Sequence, residues 1–336
     1  MKEAILWNAT EGNTVRCRLC NHFCVIKEGK KGRCGVRVNR EGKLFSLVYG
    51  NIIAEHTDPI EKKPFFHFLP GSLSYSIATA GCNFSCLFCQ NYNISQVDEK
   101  GEILLLGIES SPEEIVRLAF ASGCKSISYT YTEPTVFFEF ALDTAKKTKE
   151  KGLKNNFVTN GYMSKEALEM IAPYLDAANV DLKGDDAFYK KLCGARMAPV
   201  VENIRLMRTL GIWVEVTTLL IPEYNDLEEQ IRGIARIVRD IDVAIPWHIS
   251  RFYPHYKMSG HSPTLQEKIE RAREIGFEEG LRYVYTGNMP GDEGENTYCY
   301  SCKNLLIHRY GFSVMDNKIK DSRCPFCGAE IDGIFR

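Results

Sequence analysis

Cys82, Cys86 and Cys89 stand within the run Cys82-Asn83-Phe84-Ser85-Cys86-Leu87-Phe88-Cys89. Three thiolates this close can hold three corners of a four-iron cluster and leave the fourth iron without a protein ligand. An iron with an open position can take up and activate a second molecule, which a fully ligated electron-transfer cluster cannot do. A three-cysteine zinc site is the competing reading. Zinc motifs come as paired CxxC turns, however, and no histidine follows here at ligand spacing.

The chain has thirteen cysteines, and eleven fall into three groups of this kind, which argues for metal ligation over a disulfide scaffold. Cys299 and Cys302, then Cys324 and Cys327 after 21 intervening residues, form two CxxC turns, the pattern of a zinc ribbon or rubredoxin-like knuckle pair. Zinc is the expected metal there, with a single iron as the alternative, and the expected role is structural. Cys17, Cys20, Cys24 and Cys34 are unevenly spaced, and both a structural zinc site and an auxiliary four-iron cluster fit them. His22 reads as a bystander. From Arg16 to Lys43 there are nine Lys or Arg against two Glu, read first as compensation for thiolate charge and second as a docking face for an acidic electron donor or nucleic acid. Of the isolated cysteines, Cys124 reads as core. Cys193 reads as a buried, inert thiol, or alternatively as a hydrogen donor or radical relay near the mouth of the site.

These groups need a framework. A chain of 336 residues, 44% apolar and 11% aromatic, can form one large domain with small appendages. The net charge of −1 gives no global pull toward nucleic acid or membranes. No apolar run approaches the roughly 18 residues of a membrane span, and Met1-Lys2-Glu3-Ala4 does not read as a signal peptide, so the cytoplasm is the expected location. The expected divisions are a cysteine-rich metal-binding module at 1–50, a β/α unit at 51–290, and a small knuckle module at 291–336. Within the middle unit, strands are expected at Ser74–Thr79, Ser126–Thr130, Asn155–Thr159, Ala178–Leu182, Trp213–Leu220, Trp247–Ser250 and Arg282–Thr286. Helices are expected over 112–121, 135–151, 164–173, 201–210, 226–240 and 264–278, with Ser111-Pro112 and Ser164 as helix starts. Such alternation implies a parallel sheet with right-handed crossovers, and the fold class is α/β, a partial TIM-type (β/α)6 barrel. In barrels of this kind chemistry collects at the C-terminal ends of the strands.

Polar groups do recur at those ends: Tyr131-Thr132-Glu133-Pro134-Thr135, Thr159-Asn160-Gly161, Val180-Asp181-Leu182-Lys183, Glu215-Val216-Thr217, and Tyr253-Pro254-His255. Together with the cluster loop, whose aromatic Phe88 directly precedes the last cysteine, they resemble the radical S-adenosylmethionine (SAM) enzymes. The barrel looks like that of glycyl-radical-enzyme activases such as the pyruvate formate-lyase activating enzymes. Over nearly its whole length the chain resembles the AmmeMemoRadiSam radical SAM proteins. The resemblance implies a 4Fe-4S cluster on Cys82, Cys86 and Cys89 whose open iron is chelated by SAM. It also implies that Glu133 receives the methionine amino group, that Asn160 and Asp181 contact the ribose, that Lys183 neutralises the carboxylate, that Phe88 packs on the adenine, and that His255 lies nearby. Two departures stand out: Tyr131-Thr132 replaces a Gly-Gly pair, and Thr217, with Glu215 nearby, stands where the activases carry a basic residue. With about 36 residues between Cys89 and Ser126, the activases' ferredoxin-like insertion is missing.

The implied activity is that of an oxygen-sensitive oxidoreductase. Reductive cleavage of SAM yields a 5′-deoxyadenosyl radical that takes hydrogen from an unreactive carbon of a protein or peptide partner. A small metabolite is the alternative substrate, and RNA modification a third reading that the neutral charge disfavours. Implied partners are SAM, an electron donor such as ferredoxin or flavodoxin, and Memo-like and AMMECR-like proteins. No membrane role is expected. A non-enzymatic iron–sulfur scaffold is the remaining class, and it would have no use for Glu133, Asn160 or Asp181.

Overall fold

A computed structural model describes residues 1–98 and 101–336 of the chain. Eight strands make the central sheet: β1 Ala54–Pro59, β2 Leu73–Ala78, β3 Ser126–Tyr129, β4 Lys154–Thr159, β5 Ala177–Asp181, β6 Trp213–Leu220, β7 Trp247–Arg251 and β8 Val284–Gly287. Each strand pairs with its neighbour in sequence. The seven strands from β2 to β8 run parallel, while β1 lies antiparallel on β2. β1 and β8 remain the two edges, so the barrel is open, as expected for a partial TIM-type fold. Six helices connect the parallel strands: α1 Pro112–Ala121, α2 Phe138–Glu150, α3 Lys165–Ile171, α4 Ala198–Thr209, α5 Glu228–Ile241 and α6 Gln266–Glu278.

Local chemistry sets the helix ends. Ser111 and Ser164 accept from the backbone N–H groups of Glu114 and Ala167, each at 3.2 Å, satisfying donors that the first helical turn leaves free. The stretch expected as one helix from 135 begins as a 3-10 turn, Pro134–Phe137, before α2. Glu133 caps that turn by accepting from the Thr135 N–H, so the carboxyl is fixed where β3 ends.

Side chains alternate along the strands. Ile127, Tyr129, Phe157, Val180, Val214 and Val216 share the apolar core with Ala119, Ala141, Ala145, Ala167 and Ile204 of the helices. The opposite face carries small polar groups bonded across strands: Ser74 to Ser128 at 2.6 Å, Ser128 to Asn156 at 2.7 Å, and Thr217 to Asn179 at 2.8 Å. At the N-terminal end of the barrel this interior is closed by the loop Phe65–Phe68. Glu215, fully buried, accepts from Phe66 N–H (3.0 Å), His67 N–H (2.8 Å), Trp213 Nε1–H (3.1 Å) and His248 Nε2 (2.6 Å). Glu215 therefore belongs to the barrel floor, away from the strand ends.

The C-terminal module packs on that floor. Its strands Thr297–Tyr298, Leu305–Tyr310 and Ser313–Asn317 form a separate antiparallel sheet. Its core of Cys299, Leu306, Ile307, Cys324 and Ile331 includes Phe66, Tyr283 and Tyr285 of the barrel. Arg309 donates to the Phe66 carbonyl at 2.8 Å, and Ile334 N–H to the His67 carbonyl at 2.7 Å. The N-terminal segment packs instead into the main core, through Ala4, Val15, Leu19, Val36 and Leu44. A buried Arg37–Glu139 pair ties it to α2, the guanidinium donating to both carboxylate oxygens at 3.0 and 2.8 Å. No helix of the described residues is long and apolar enough to cross a membrane.

Candidate active site

The C-terminal strand ends open into a cavity of about 600 Å³, lined by Cys82, Cys86 and Cys89 on one side and by Glu133, Asn160, Asp181 and Lys183 on the other. The loop after β2 carries the three cysteines, and its backbone is held from outside. Ser85 N–H donates to the Cys193 carbonyl at 3.1 Å, Leu87 N–H to Leu192 at 3.0 Å, and Lys257 N–H to Leu87 at 3.1 Å. The Phe84 N–H points at the Cys82 sulfur at 3.4 Å, as donors to a thiolate do.

Sulfur spacing separates the two metal readings. Two thiolates on one zinc can be no more than about 4.6 Å apart, twice the Zn–S bond of about 2.3 Å. Among the described residues, only Cys299, Cys302, Cys324 and Cys327 bring three or more candidate ligand atoms within 4.8 Å of one another. There the sulfurs of Cys299 and Cys327, and of Cys302 and Cys324, lie 3.7 Å apart, close to the ~3.8 Å edge of a tetrahedral zinc–thiolate site. Cys82, Cys86 and Cys89 stand wider than one ion can span. They fit a polynuclear cluster.

Glu133 is buried, and its carboxylate accepts four hydrogen bonds: from Thr135 N–H (3.0 Å), Thr135 Oγ1 (2.5 Å), Thr159 Oγ1 (2.8 Å) and Asn160 N–H (2.8 Å). Three of these reach Oε1 and one reaches Oε2, leaving Oε2 the less saturated oxygen. Burial pushes the group up from the ordinary carboxyl range, and the four donors pull the other way without reversing it. A cationic amine in the cavity would complete the pairing. Asp181 and Lys183 form an ion pair of 2.6 Å at the end of β5. Burial lowers the Lys183 ammonium, but Asp181 and Cys86 outweigh it and hold the group well above its ordinary value, so it stays charged. Its Nζ lies 5.7 Å from the centroid of Phe88, which is buried in the cavity wall.

Two residues stand differently from expectation. Asn160 lines the cavity, but its amide is engaged: Nδ2 donates to Asn83 Oδ1 at 2.7 Å and touches the Cys82 sulfur at 3.9 Å, while Oδ1 accepts from Tyr162 N–H at 3.1 Å. It braces the cluster loop, leaving little for a ribose. His255 is outside the cavity wall, packed on Tyr92 at 5.4 Å between ring centroids. Cys193 is fully buried and absent from the cavity wall, in line with its first reading as a buried thiol and not with the alternative of a hydrogen donor at the mouth. Thr217 does line the cavity.

Sequence reasoning missed a second charged group. Lys62 and Lys63, from the turn after β1, also line the cavity, and both pair with Asp58. Tyr131 donates its hydroxyl to the same carboxylate and lies 3.3 Å from Lys63 Nζ. Burial lowers Lys63 to about 8 despite its partner. Tyr131 takes the left-handed backbone that glycine favours, with φ +63°. Its ring serves the Asp58–Lys63 pair. The polar strand β1 carries no amphipathic alternation that would have flagged it, since it is recruited by backbone pairing at a sheet edge.

A family model described as the radical SAM superfamily matches residues 76–236. A protein of Methanocaldococcus jannaschii, "Uncharacterized protein MJ0808", is 47% identical over 99% of this chain and 99% of its own length. The isethionate sulfite-lyase activating enzyme of Oleidesulfovibrio alaskensis is 26% identical, covering 52% of this chain and 58% of that one. Among solved structures, Streptococcus suis SuiB bound to S-adenosylmethionine has a TM-score of 0.51 at 14% identity, covering 68% of this chain and 53% of that one. At that identity the likeness speaks to the fold.

Proposed function

The chain belongs to the radical SAM superfamily, and we propose that it abstracts a hydrogen atom from a protein or peptide partner. The cofactors of the family are a 4Fe-4S cluster and SAM, which together supply a 5′-deoxyadenosyl radical. One observation carries the reading: three sulfurs too widely set for one zinc face, across a cavity of about 600 Å³, a buried carboxylate and a fixed ammonium.

In this reading Cys82, Cys86 and Cys89 hold the cluster. Glu133 accepts the methionine amino group at Oε2, and Lys183 neutralises the carboxylate. Asp181 orients the nucleoside, and Phe88 covers the adenine. The buried wall excludes water from the radical. A cavity of this size is on the scale of one small ligand. SAM fills most of it, so the hydrogen donor reaches in from the mouth, which suits a side chain or peptide segment of a larger partner. The relative named as an activating enzyme supports the same class of substrate. The resemblance to the AmmeMemoRadiSam branch makes Memo-like and AMMECR-like proteins the first partners to test, and a ferredoxin or flavodoxin the first reductant. Residues 51–290 are read as the catalytic unit, with 1–50 and 291–336 as metal-binding modules around it.

Anaerobically reconstituted protein given dithionite and SAM is expected to release methionine and 5′-deoxyadenosine, and Cys86→Ala to abolish the release. A wild-type protein that binds a cluster and never cleaves SAM overturns the reading. Deuterium carried into 5′-deoxyadenosine from a labelled partner protein identifies the substrate; deuterium arriving only from a small metabolite refutes the macromolecular one.

A further inference from the structure

We propose that Cys17, Cys20, Cys24 and Cys34 hold a second four-iron cluster, which passes electrons to the one on Cys82, Cys86 and Cys89. All four cysteines line one small cavity of about 20 Å³, whose walls also include Leu19, Ile26, His22, Arg37 and Val136. Within this set no three sulfurs come within 4.8 Å of one another, whereas the C-terminal four do. One zinc holds its thiolates at most about 4.6 Å apart. The two cysteine quartets of this chain therefore differ in kind. The C-terminal quartet is closed to the size of an ion, and the N-terminal quartet stands wider than one ion spans.

A second observation points into the same cavity. Arg37 is 1% exposed, and both of its terminal nitrogens are taken by Glu139 and by the Ile5 carbonyl. Its Nε is buried with no hydrogen-bond partner. An orphaned buried donor is costly unless something accepts from it. A thiolate or sulfide of a cluster is such an acceptor, and Arg37 lines the cavity where it would lie.

The cavity backs onto the active site. Asn83, the residue after Cys82, lies in its wall. His22 sits with Nε2 2.8 Å from the Asn83 carbonyl, so Nε2 carries the proton and donates. The Cys34 carbonyl and the Val36 side chain press on Gly81, the residue before Cys82: a Cβ there would meet Val36 Cγ1 at 2.6 Å and the Cys34 carbonyl at 3.0 Å. One partition thus separates the two cysteine sets. Interleaved with the N-terminal cysteines are exposed Phe23, Val25, Lys27, Lys30 and Arg33. This apolar and basic surface suits an acidic one-electron donor of the reduced ferredoxin class. The step is electron transfer alone. The donor is oxidised by one electron, the N-terminal cluster is reduced and reoxidised, the second cluster is reduced, and no bond or proton moves.

The relay role rests on the function proposed above; the N-terminal cluster does not. The test uses full-length protein reconstituted anaerobically with iron and sulfide, in wild-type form and as Cys20→Ala/Cys24→Ala and Cys82→Ala/Cys86→Ala/Cys89→Ala variants. Wild type is expected to bind about eight irons and each variant about four, one four-iron cluster apiece. The reduced electron paramagnetic resonance signal should respond to SAM in the first variant and not in the second. A wild type with about four irons and two zincs, or a triple variant without iron, overturns the second cluster. Loss of the SAM response in the Cys20→Ala/Cys24→Ala protein, with its four irons kept, would instead count against the active-site reading. For the relay, reduction of the Cys82–Cys89 cluster by a reduced ferredoxin should slow at least tenfold in Cys20→Ala/Cys24→Ala while reduction by dithionite persists. An unchanged ferredoxin rate overturns the relay. Cys20→Ser/Cys24→Ser, with equal Tm to wild type, guards against misfolding.

Discussion

Glu133 occupies the end of β3 with four donors already fixed on it, so a ligand amine meets a carboxylate that need not reorganise. A hydrogen bond to a charged group contributes about 1.5–3 kcal/mol. Glu133→Gln should therefore weaken SAM binding by roughly ten- to a hundredfold, as read by isothermal titration on anaerobic protein. Unchanged affinity would remove Glu133 from the ligand set. Lys63 makes a pH prediction. Burial sets its folded pKa at about 8, below that of a free lysine, so the cavity loses one positive charge as pH rises through about 8. Affinity for a ligand bearing a carboxylate should fall by about tenfold across that step, on the order of 1.4 kcal/mol, and Lys63→Gln should flatten the profile. Stability moves oppositely. Between about 8 and the ordinary lysine pKa of about 10.4, the unfolded chain binds more protons, so this residue's contribution to stability rises with pH over that window.

At the scale of elements, the loops after the strands are shaped by a few backbone positions. Gly81 has φ +101°, and the N-terminal segment lies against its Cα. Gly81→Ala would meet both a disallowed backbone and the Val36 side chain, a cost of about 3 kcal/mol. The expected result is a lower denaturant midpoint together with loss of iron from Cys82, Cys86 and Cys89, because the same turn aims Cys82. Retention of full iron would show that the loop can shift independently of the N-terminal segment. Tyr131 illustrates the converse. A left-handed non-glycine residue costs about 1–2 kcal/mol, and here the hydroxyl bond to Asp58 offsets it. The helix starts at Ser111 and Ser164 were legible, because a cap is a local event of three or four residues. The edge strand β1 was not, since its identity as a strand depends on β2 offering an open ladder.

Over the whole molecule, the active site and the C-terminal module occupy opposite ends of the barrel. The module supplies Arg309 and the Ile334 backbone to the loop that closes the floor. Removing its metal, by a chelator or Cys324→Ser, should lower Tm and unfold the module, because a structural zinc site carries about 10–16 kcal/mol of apparent binding free energy in small peptides. SAM affinity should change less than threefold; a large loss would mean that the floor transmits strain to the strand ends. Glu215 is the floor's keystone acceptor. Burial raises its pKa, but the bond from His248 and the charge environment bring it below the ordinary value. Its stabilisation is thus present above the usual carboxyl pKa and lost as pH falls through the lower folded value. Glu215→Gln turns one acceptor into a donor facing donors, and should cost about 1–3 kcal/mol in urea unfolding while leaving SAM binding intact.

Periodicity and cysteine spacing alone determined the seven parallel strands, the six helices between them, the cluster loop and the C-terminal knuckles. Each is written in residues close together in the chain: an alternation of two, a repeat near 3.6, or thiols two or three residues apart. Trp213–Leu220 was read with its observed ends. Tertiary structure decided which polar groups share a cavity and which do not. Asp58 and Lys63 joined Tyr131 across 73 and 68 residues of chain, Glu215 went to the floor, and His255 turned to Tyr92. It also decided how far apart four sulfurs stand. The count of intervening residues bounds that distance without setting it, and that distance separates a site for one ion from a site for a cluster.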